Sequence, residues 1–339
     1  MPPVVTKSGQ QYETPLFLPV FEYNNDFITI ERLKGDFPIR GLITNGYLLY
    51  KKRELKPIVL EKKIKAFLNF DGLVMTDSGA FQQFSGPLYL DNKKIIAFQQ
   101  EIGADVISPL DLITTPGDNR TNATKKLKAT LKRIKEGLPL ATESVLAGVQ
   151  QGGRFLDLRG EALERLVEMN VGYIALGSLV PFFTKNHHIE FICHVLQQAR
   201  QIVPPHIPMH LYGAGDPLEL PFYMALGCNI FDSSSFIHYA RDGWLMTPYG
   251  AIKDPTPLAS GDYTPNSPYY QQHGEAIWQD VEALAAHNLW VILTVLDEAR
   301  QRVADGTIGD YLTHVISVHQ HWFPESRLGA SWVAIKESN

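Results

Sequence analysis

Leu211-Tyr-Gly-Ala-Gly-Asp-Pro217, followed by Asn229-Ile-Phe-Asp-Ser-Ser-Ser-Phe236, decides the reading of the fold. Each piece is a short apolar run that stops at a polar or glycine-rich end. The second stops at Asp232, set between Phe231 and three serines. A carboxylate at the end of a buried strand is costly unless a rim solvates it or chemistry uses it. The same pattern stands far upstream, where Leu73-Val-Met75 runs into Thr76-Asp-Ser-Gly-Ala-Phe-Gln82. Two aspartates placed alike suggest paired-carboxylate chemistry. Taken singly, either one reads equally well as a helix N-cap or a loop residue.

Working outward, the pattern repeats. Leu16–Phe21, Gly41–Gly46, Leu73–Ser78, Val106–Asp111, Val145–Gly153, Tyr173–Ser178, Met209–Gly215 and Asn229–Ser233 read as short strands. Helical periodicity separates them, at Glu31–Phe37, Ile58–Phe70, Asn92–Ile102, Asn122–Leu138, Gly160–Met169, Ile189–Val203 and Pro217–Leu226. Eight strands alternating with helices predict an α/β fold, a (β/α)8 TIM barrel over residues 1–250. A doubly wound sheet is the runner-up, but no Gly-x-Gly-x-x-Gly follows the first strand. Several predicted strands end in Asn45, Asp77, Asp111, Gln151, Gly177, Gly213 or Asp232, and such barrels carry their active sites at those ends. Pro255–Tyr270 reads as a loop, while Glu275–Ala304 and Tyr311–Trp322 read as helices. Residues 251–339 are therefore expected to be a helical extension packed on the barrel.

Composition narrows the class. The 339 residues are 45% hydrophobic, enough for one large core, and the net charge is -5. A nucleic-acid binder is usually more basic, so any such contact must be local. Asn122–Leu138 puts Lys125, Lys126, Lys128, Lys132, Arg133 and Lys135 off its apolar stripe, with Thr121 or Asn122 as cap. Such a face is more often solvated than bound to nucleic acid. Two cysteines, Cys193 and Cys228, read as small core residues of a chain in a reducing compartment. The N-terminus lacks the apolar core of a signal peptide and no run reaches membrane-spanning length, so the expectation is a cytoplasmic protein with no membrane contact.

Five segments in order carry a specific resemblance. Thr76-Asp-Ser-Gly-Ala-Phe-Gln82, Val149-Gln-Gln-Gly-Gly153, Leu176-Gly-Ser-Leu179, His210-Leu-Tyr-Gly-Ala-Gly-Asp-Pro217 and Ala225-Leu-Gly-Cys-Asn-Ile-Phe-Asp-Ser233 resemble the successive signatures of the tRNA-guanine transglycosylase superfamily. The archaeal-type members that insert preQ0 are the nearest in wording, and the agreement runs from about Thr14-Pro15 to Asp242-Gly243. The resemblance implies a guanine flipped from its strand, attack of a carboxylate on the sugar, a covalent intermediate and replacement by a 7-deazaguanine with retained configuration. It makes Asp232 the nucleophile and Asp77 the acid/base. Ser78 belongs to the same motif, and Phe81 matches an aromatic that stacks on the base. Asp111 matches the carboxylate that reads the guanine-like edge. Gln151 and Gly177 match residues touching the base's carbonyl and C7 side. Arg241 matches a position near the substrate backbone, with Arg154 a second candidate for phosphate. No cofactor is implied.

One departure stands out. The family holds a structural zinc with Cys-x-Cys-x-x-Cys and a distant His. The matching loop here is Tyr263-Thr-Pro-Asn-Ser-Pro-Tyr-Tyr270, and His287 is what remains of the ligand set. One His cannot hold a tetrahedral zinc, so no metal is expected. His314, His319 and His321 lack ligand spacing and read as ordinary side chains. The zinc unit helps grip RNA in the family, so its loss tilts the reading toward DNA, as in the DpdA-type branch that makes 7-deazaguanine-modified DNA. On that reading a helper protein opens the duplex, and a homodimer is a further expectation. The first alternative is tRNA as substrate. The others are a non-catalytic nucleic-acid-binding subunit and an unrelated barrel hydrolase; the retained aspartates oppose the subunit, and the base-binding motifs oppose the hydrolase.

Overall fold

The structure, a computed structural model, describes residues 1–23, 28–80, 82, 90–184 and 186–337. A small antiparallel hairpin comes first, β1 (Val4–Val5) with β2 (Gln11–Tyr12). The parallel strands follow: β3 (Leu16–Phe21), β4 (Gly41–Asn45), β5 (Leu73–Asp77), β6 (Val106–Ile107), β7 (Val145–Leu146), β8 (Gly148–Gln150), β9 (Ile174–Leu176), β10 (Met209–Leu211) and β11 (Ile230–Ser233). Their order in the sheet is β7-β6-β5-β4-β3-β11-β10-β9-β8. The two ends of that order are halves of one run, 145–150, broken only at Ala147. The Ala147 N–H donates to Ile107 O and the Gly148 N–H to Tyr173 O, so one run ties β6 to β9. Counted as one strand, β7 and β8 bring the nine segments to eight and close the barrel. A doubly wound sheet would leave two open edges and a reversal of strand order.

The helices, in chain order, are α1 (Ile30–Asp36), α2 (Gly46–Lys51), α3 (Leu55–Lys62), α4 (Ile64–Leu68), α5 (Asn92–Glu101), α6 (Arg120–Gly137), α7 (Leu156–Glu168), α8 (Glu190–Ile202), α9 (Leu220–Ala225), α10 (Ser235–Arg241), α11 (Pro268–His273), α12 (Val281–Ala304), α13 (Ile308–Trp322) and α14 (Leu328–Glu337). Side chains alternate faces along a strand. The inward set is an apolar cluster that includes Leu16, Leu18, Ile43, Leu73, Met75, Val106, Ala147, Val149, Tyr173, Ala175 and Ile230. Continued by two, the same parity puts Asn45, Asp77, Ser108, Gln151, Gly177 and Asp232 at the top of the barrel. The outward set, with Phe17, Leu42, Val74, Ile107, Leu176, Leu211 and Phe231, joins the helices in the larger core. The parity of eight short strands thus separates core from chemistry.

Three local expectations are corrected. Ile58–Phe70 is two helices, α3 and α4, because Lys63 sits at φ 65 and Ile64 N–H leaves the helix to donate to Ile102 O. The cap of α6 is Asn119, whose side chain accepts from Asn122 N. The stretch expected to be a loop, 255–270, carries a 3-10 turn over Thr256–Ser260 and the start of α11, capped by Ser267. Cys193 and Cys228 are both buried and unbonded to each other.

The C-terminal helices share the barrel's outer core: Leu284, Leu289, Leu312, Val315 and Leu328 belong to the same apolar cluster as Leu33 and Phe236. Asn288 on α12 accepts from Met246 N at 2.8 Å and donates to Trp244 O and Phe236 O. One buried amide therefore satisfies three backbone groups where the chain leaves the barrel. Among the described residues no helix is long and apolar enough to cross a membrane.

Candidate active site

The mouth of the barrel gathers three aspartates from β5, the end of β6 and β11. Asp77 is the last residue of β5 and pairs in register with Asn45 of β4. The Asn45 amide donates to Asp77 Oδ2 at 3.4 Å, while its carbonyl oxygen caps α2 by accepting from Leu48 N. Burial, followed by the nearby charge of Asp232, holds the Asp77 carboxyl up at about 6; the Gly79 and Ser78 N–H groups act the other way. Asp77 is half-buried by surface area, so the push from burial is partly relieved by solvent. An acid of this strength near neutrality is suited to giving and taking a proton.

Asp111 stands just past β6. Burial first, and the charge of Asp77 second, push its carboxyl up to about 7. Gln151 fixes its orientation. The Gln151 Oε1 accepts from Thr114 N at 3.1 Å, Thr114 Oγ1 at 3.0 Å and Ser178 Oγ at 2.6 Å. Those three donors settle which way the amide points, and its Nε2 then donates to Asp111 Oδ2 at 2.6 Å. Gln151 thus holds Asp111 through one Nε2–H while its Oε1 is engaged inside the protein. Gly177 is also engaged: its N–H donates to Gln150 O, and its carbonyl accepts from Arg159. Ser178, the next residue, has φ 58, and its N–H has no backbone acceptor among the described residues.

Asp232 lies on β11, in register with Leu18 of β3. Its Oδ1 accepts from Gly213 N at 3.1 Å and lies 2.8 Å from His210 Nε2. The glycine-rich turn after β10 is needed for this approach. A Cβ on Gly215 would land inside the van der Waals shell of Ser233 and Ser235, whose Oγ atoms brace the same corner.

Ser78 is fully buried, and among the described residues its Oγ has no hydrogen-bond partner; neither has Gln82 Oε1. Buried polar atoms are rarely left so. Ser78 Oγ, on the residue after Asp77, is what an incoming polar ligand would satisfy. Phe81 lies outside the described residues. Arg154 is exposed after β8, with its guanidinium 5.4 Å from the Phe155 ring. Arg241 is exposed near the end of α10.

Sequence reasoning missed two groups here. Arg159 of α7 is wholly buried and bonds to Gly153 O, Gln150 Oε1 and Gly177 O. Burial lowers its guanidinium to about 9. It staples the ends of two strands, and its place in the first turn of the helix after the Gly-Gly pair is the sequence signal for it. The other is the pair His210 and Tyr173, for which the inward parity of their strands is the sequence signal.

A cavity of about 360 Å³ opens nearby, lined among others by Asp216, Tyr239, Trp244, His319 and Phe323. It contains none of the three aspartates, so the chemistry is assigned to the mouth and not to this space. The place where the family's zinc would sit does not fit a metal. His287 is fully buried; its Nε2 donates to Met246 O at 3.0 Å, which leaves Nδ1 to accept from Ser267 Oγ at 2.6 Å. Both nitrogens are used, and no group of three metal-ligating side chains occurs among the described residues.

A closed parallel barrel with its carboxylates gathered at the C-terminal mouth is the architecture of a barrel enzyme. Its particular family follows from comparison: the queuine tRNA-ribosyltransferase family matches residues 4–321, and the chain belongs to it. The chain is 33% identical over 320 residues to a tRNA-guanine(15) transglycosylase of Methanopyrus kandleri, covering 92% of this chain and 68% of that one. The enzyme of the same name from Methanosarcina acetivorans is 34% identical over 303 residues, 87% of this chain and 61% of that one. That of Nanoarchaeum equitans is 32% identical over 317 residues, with 93% and 74% covered. The chain therefore spans about two thirds of the length of these relatives.

Proposed function

We propose that the chain exchanges a guanine in tRNA for a 7-deazaguanine of the preQ0 type, by two displacements at one sugar carbon. The observation that carries this is the unequal pair Asp77 and Asp232. One carboxyl is raised to about 6 and can hold a proton; the other has an N–H donor fixed on one oxygen. Two carboxylates with different environments take different roles. In the first displacement, a free oxygen of Asp232 bonds to C1′. The C1′–N bond breaks toward the base, and Asp77 gives the departing base a proton. In the second, Asp77 takes the proton of the incoming base. Its ring nitrogen bonds to C1′, and the C1′–O bond breaks with its electron pair returning to Asp232. Two inversions leave the configuration unchanged.

Asp111 reads the base. A guanine-like edge offers two N–H donors, and a carboxylate can accept both. Ser78 Oγ and the Ser178 N–H supply polar partners to the rest of the base, and Gln151 keeps Asp111 aimed. Arg154 and Arg241 are assigned to the phosphates beside the flipped nucleotide, with Phe81 as the stacking ring.

The names of the relatives favour tRNA over the DNA reading. The cysteine-free loop at 263–270 is the observation on the other side, and a helper protein is needed only if duplex DNA is opened. The test is to incubate the chain with labelled guanine or preQ0 and tRNA, single-stranded DNA or duplex DNA. Label entering tRNA alone supports the proposal. Label entering DNA and not tRNA reverses the substrate while leaving the roles of the aspartates standing. No label and no covalent adduct with any of them rejects the reaction.

A further inference from the structure

Below the mouth, Asp232 is backed by two buried polar side chains. His210 of β10 and Tyr173, just ahead of β9, both point inward and are fully buried. The Tyr173 Oη lies 2.8 Å from His210 Nδ1, and His210 Nε2 lies 2.8 Å from Asp232 Oδ1. Tyr212, also inward, places its ring edge-on to the imidazole at 4.7 Å. A chain of three polar groups thus runs from the barrel's apolar floor to the aspartate. Burying such a chain is costly unless every member is paired.

We propose that Tyr173 and His210 position Asp232 and take up its charge, so that Oδ2 is the oxygen that bonds to the sugar. This rests on the transglycosylase reading of the site. The tautomer follows from hydrogen-bond inventory. A phenol always has a proton to give, and the imidazole Nδ1 is within its reach; Met75 Sδ at 3.7 Å is a far weaker acceptor. With Nδ1 accepting, the ring proton sits on Nε2, facing the carboxylate. In the resting chain this N–H is off the line to Oδ1 and makes no aligned hydrogen bond among the described residues. The aligned donor to the same oxygen is the Gly213 N–H, at 3.1 Å. Catalytic hydrogen bonds are often misaligned before substrate binds. Both donors converge on Oδ1, which leaves Oδ2 for C1′.

The consequence differs between the two displacements. When Oδ2 bonds to C1′, Oδ1 becomes a carbonyl oxygen and loses negative charge. When the incoming base takes C1′, the C1′–Oδ2 electron pair returns to the carboxylate, and charge builds again on Oδ1. The Gly213 N–H is already fixed at that oxygen and stabilises the developing charge without reorganisation, and the His210 N–H adds to it once it swings into line. His210 and Gly213 therefore ease the second displacement, the departure of Asp232.

The test compares His210→Leu, His210→Gln and Tyr173→Phe in the full chain, with single-turnover kinetics and denaturing-gel trapping of the nucleic-acid adduct. Removing the donor in His210→Leu is expected to lower kcat about 10- to 100-fold with KM little changed, and to make the covalent adduct accumulate. His210→Gln keeps an N–H donor and should recover activity to within about threefold to fivefold of the native chain. Tyr173→Phe, which deletes one hydroxyl, should fold normally and lose about threefold to tenfold in kcat. Equal losses in His210→Leu and His210→Gln, or no adduct accumulation in a folded His210→Leu chain, would overturn the proposal. Nitrogen-15 NMR of the imidazole decides the tautomer without any substrate. The proton on Nε2 in the native chain, and a changed tautomer in Tyr173→Phe, support the arrangement. The proton on Nδ1 in the native chain rejects it, whatever base or nucleic acid the enzyme turns out to use.

Discussion

Asp77 is the residue at which protein stability and catalysis oppose each other. Its carboxyl is raised to about 6 and that of Asp111 to about 7, mainly by burial. Unfolded, both would titrate near 3.9. Between these values the folded chain binds more protons than the unfolded one, so ionisation of the pair costs stability as pH rises from about 4 through 7. Asp111→Asn should therefore melt higher than the native chain at pH 8, by on the order of 1–3 kcal/mol, with the gap closing toward pH 4. Matched thermal melts across that range check it; a native chain as stable as the variant at pH 8 is the opposing result. Asp77→Asn should fold well but lose about 10²- to 10⁴-fold in rate, because the amide cannot pass a proton. Steady-state base exchange reads the loss, and a near-native rate would move the proton to another group. Asp77, Asp111 and Asp232 were legible in the sequence because each ends an apolar run. His210 was not, because a histidine one step below the rim looks like any core residue until its neighbours across the barrel are known.

At the scale of elements, the barrel was legible from eight apolar runs because parity fixes which side chains face inward. Boundaries were less so. The predicted strand Val106–Asp111 keeps ladder geometry only at Val106–Ile107, since Pro109 has no N–H to give and Asp111 N turns back to Pro109 O. The short helices α2 and α10 were unreadable because each starts within two residues of a strand end, so their few residues merged with the strand pattern before them. The corner between β10 and β11 tests the reading of the glycine-rich turn. Gly215 packs against Ser233 and Ser235 with no room for a methyl group. Gly215→Ala should push the corner apart and move the Gly213 N–H away from Asp232. We expect a loss of about 1–3 kcal/mol of stability and a larger drop in kcat than Gly117→Ala, where a Cβ meets open space. Chemical denaturation together with turnover of the two variants would reveal equal behaviour if the corner were unimportant.

For the whole molecule, the junction between barrel and C-terminal helices is held by hydrogen bonds at the place where the family resemblance implies zinc. The absence of cysteines at 263–270 was plain in the sequence; what replaces them was not, because Ser267 and Met246 lie far from His287 along the chain. The imidazole is neutral in this arrangement, one nitrogen donating and the other accepting. Burial depresses its protonation to about 4, against about 6.5 in an unfolded chain. Here the sign is opposite to that of Asp111. Between pH 4 and 6.5 the unfolded state takes up the proton first, so this contribution to stability is complete above about pH 6.5 and fades as pH falls toward 4. The full effect is at most about 3 kcal/mol. Replacing His287 by Gln should lower stability at pH 7.5 and remove its share of the loss on acidification, so that the two melting curves converge near pH 4. A chelator should leave the native melting temperature unchanged, and elemental analysis should find no stoichiometric zinc. A native chain that loses stability on chelation, or carries one tightly held zinc per chain, would mean that His287 is a ligand and that the Ser267 hydrogen bond is not its resting partner.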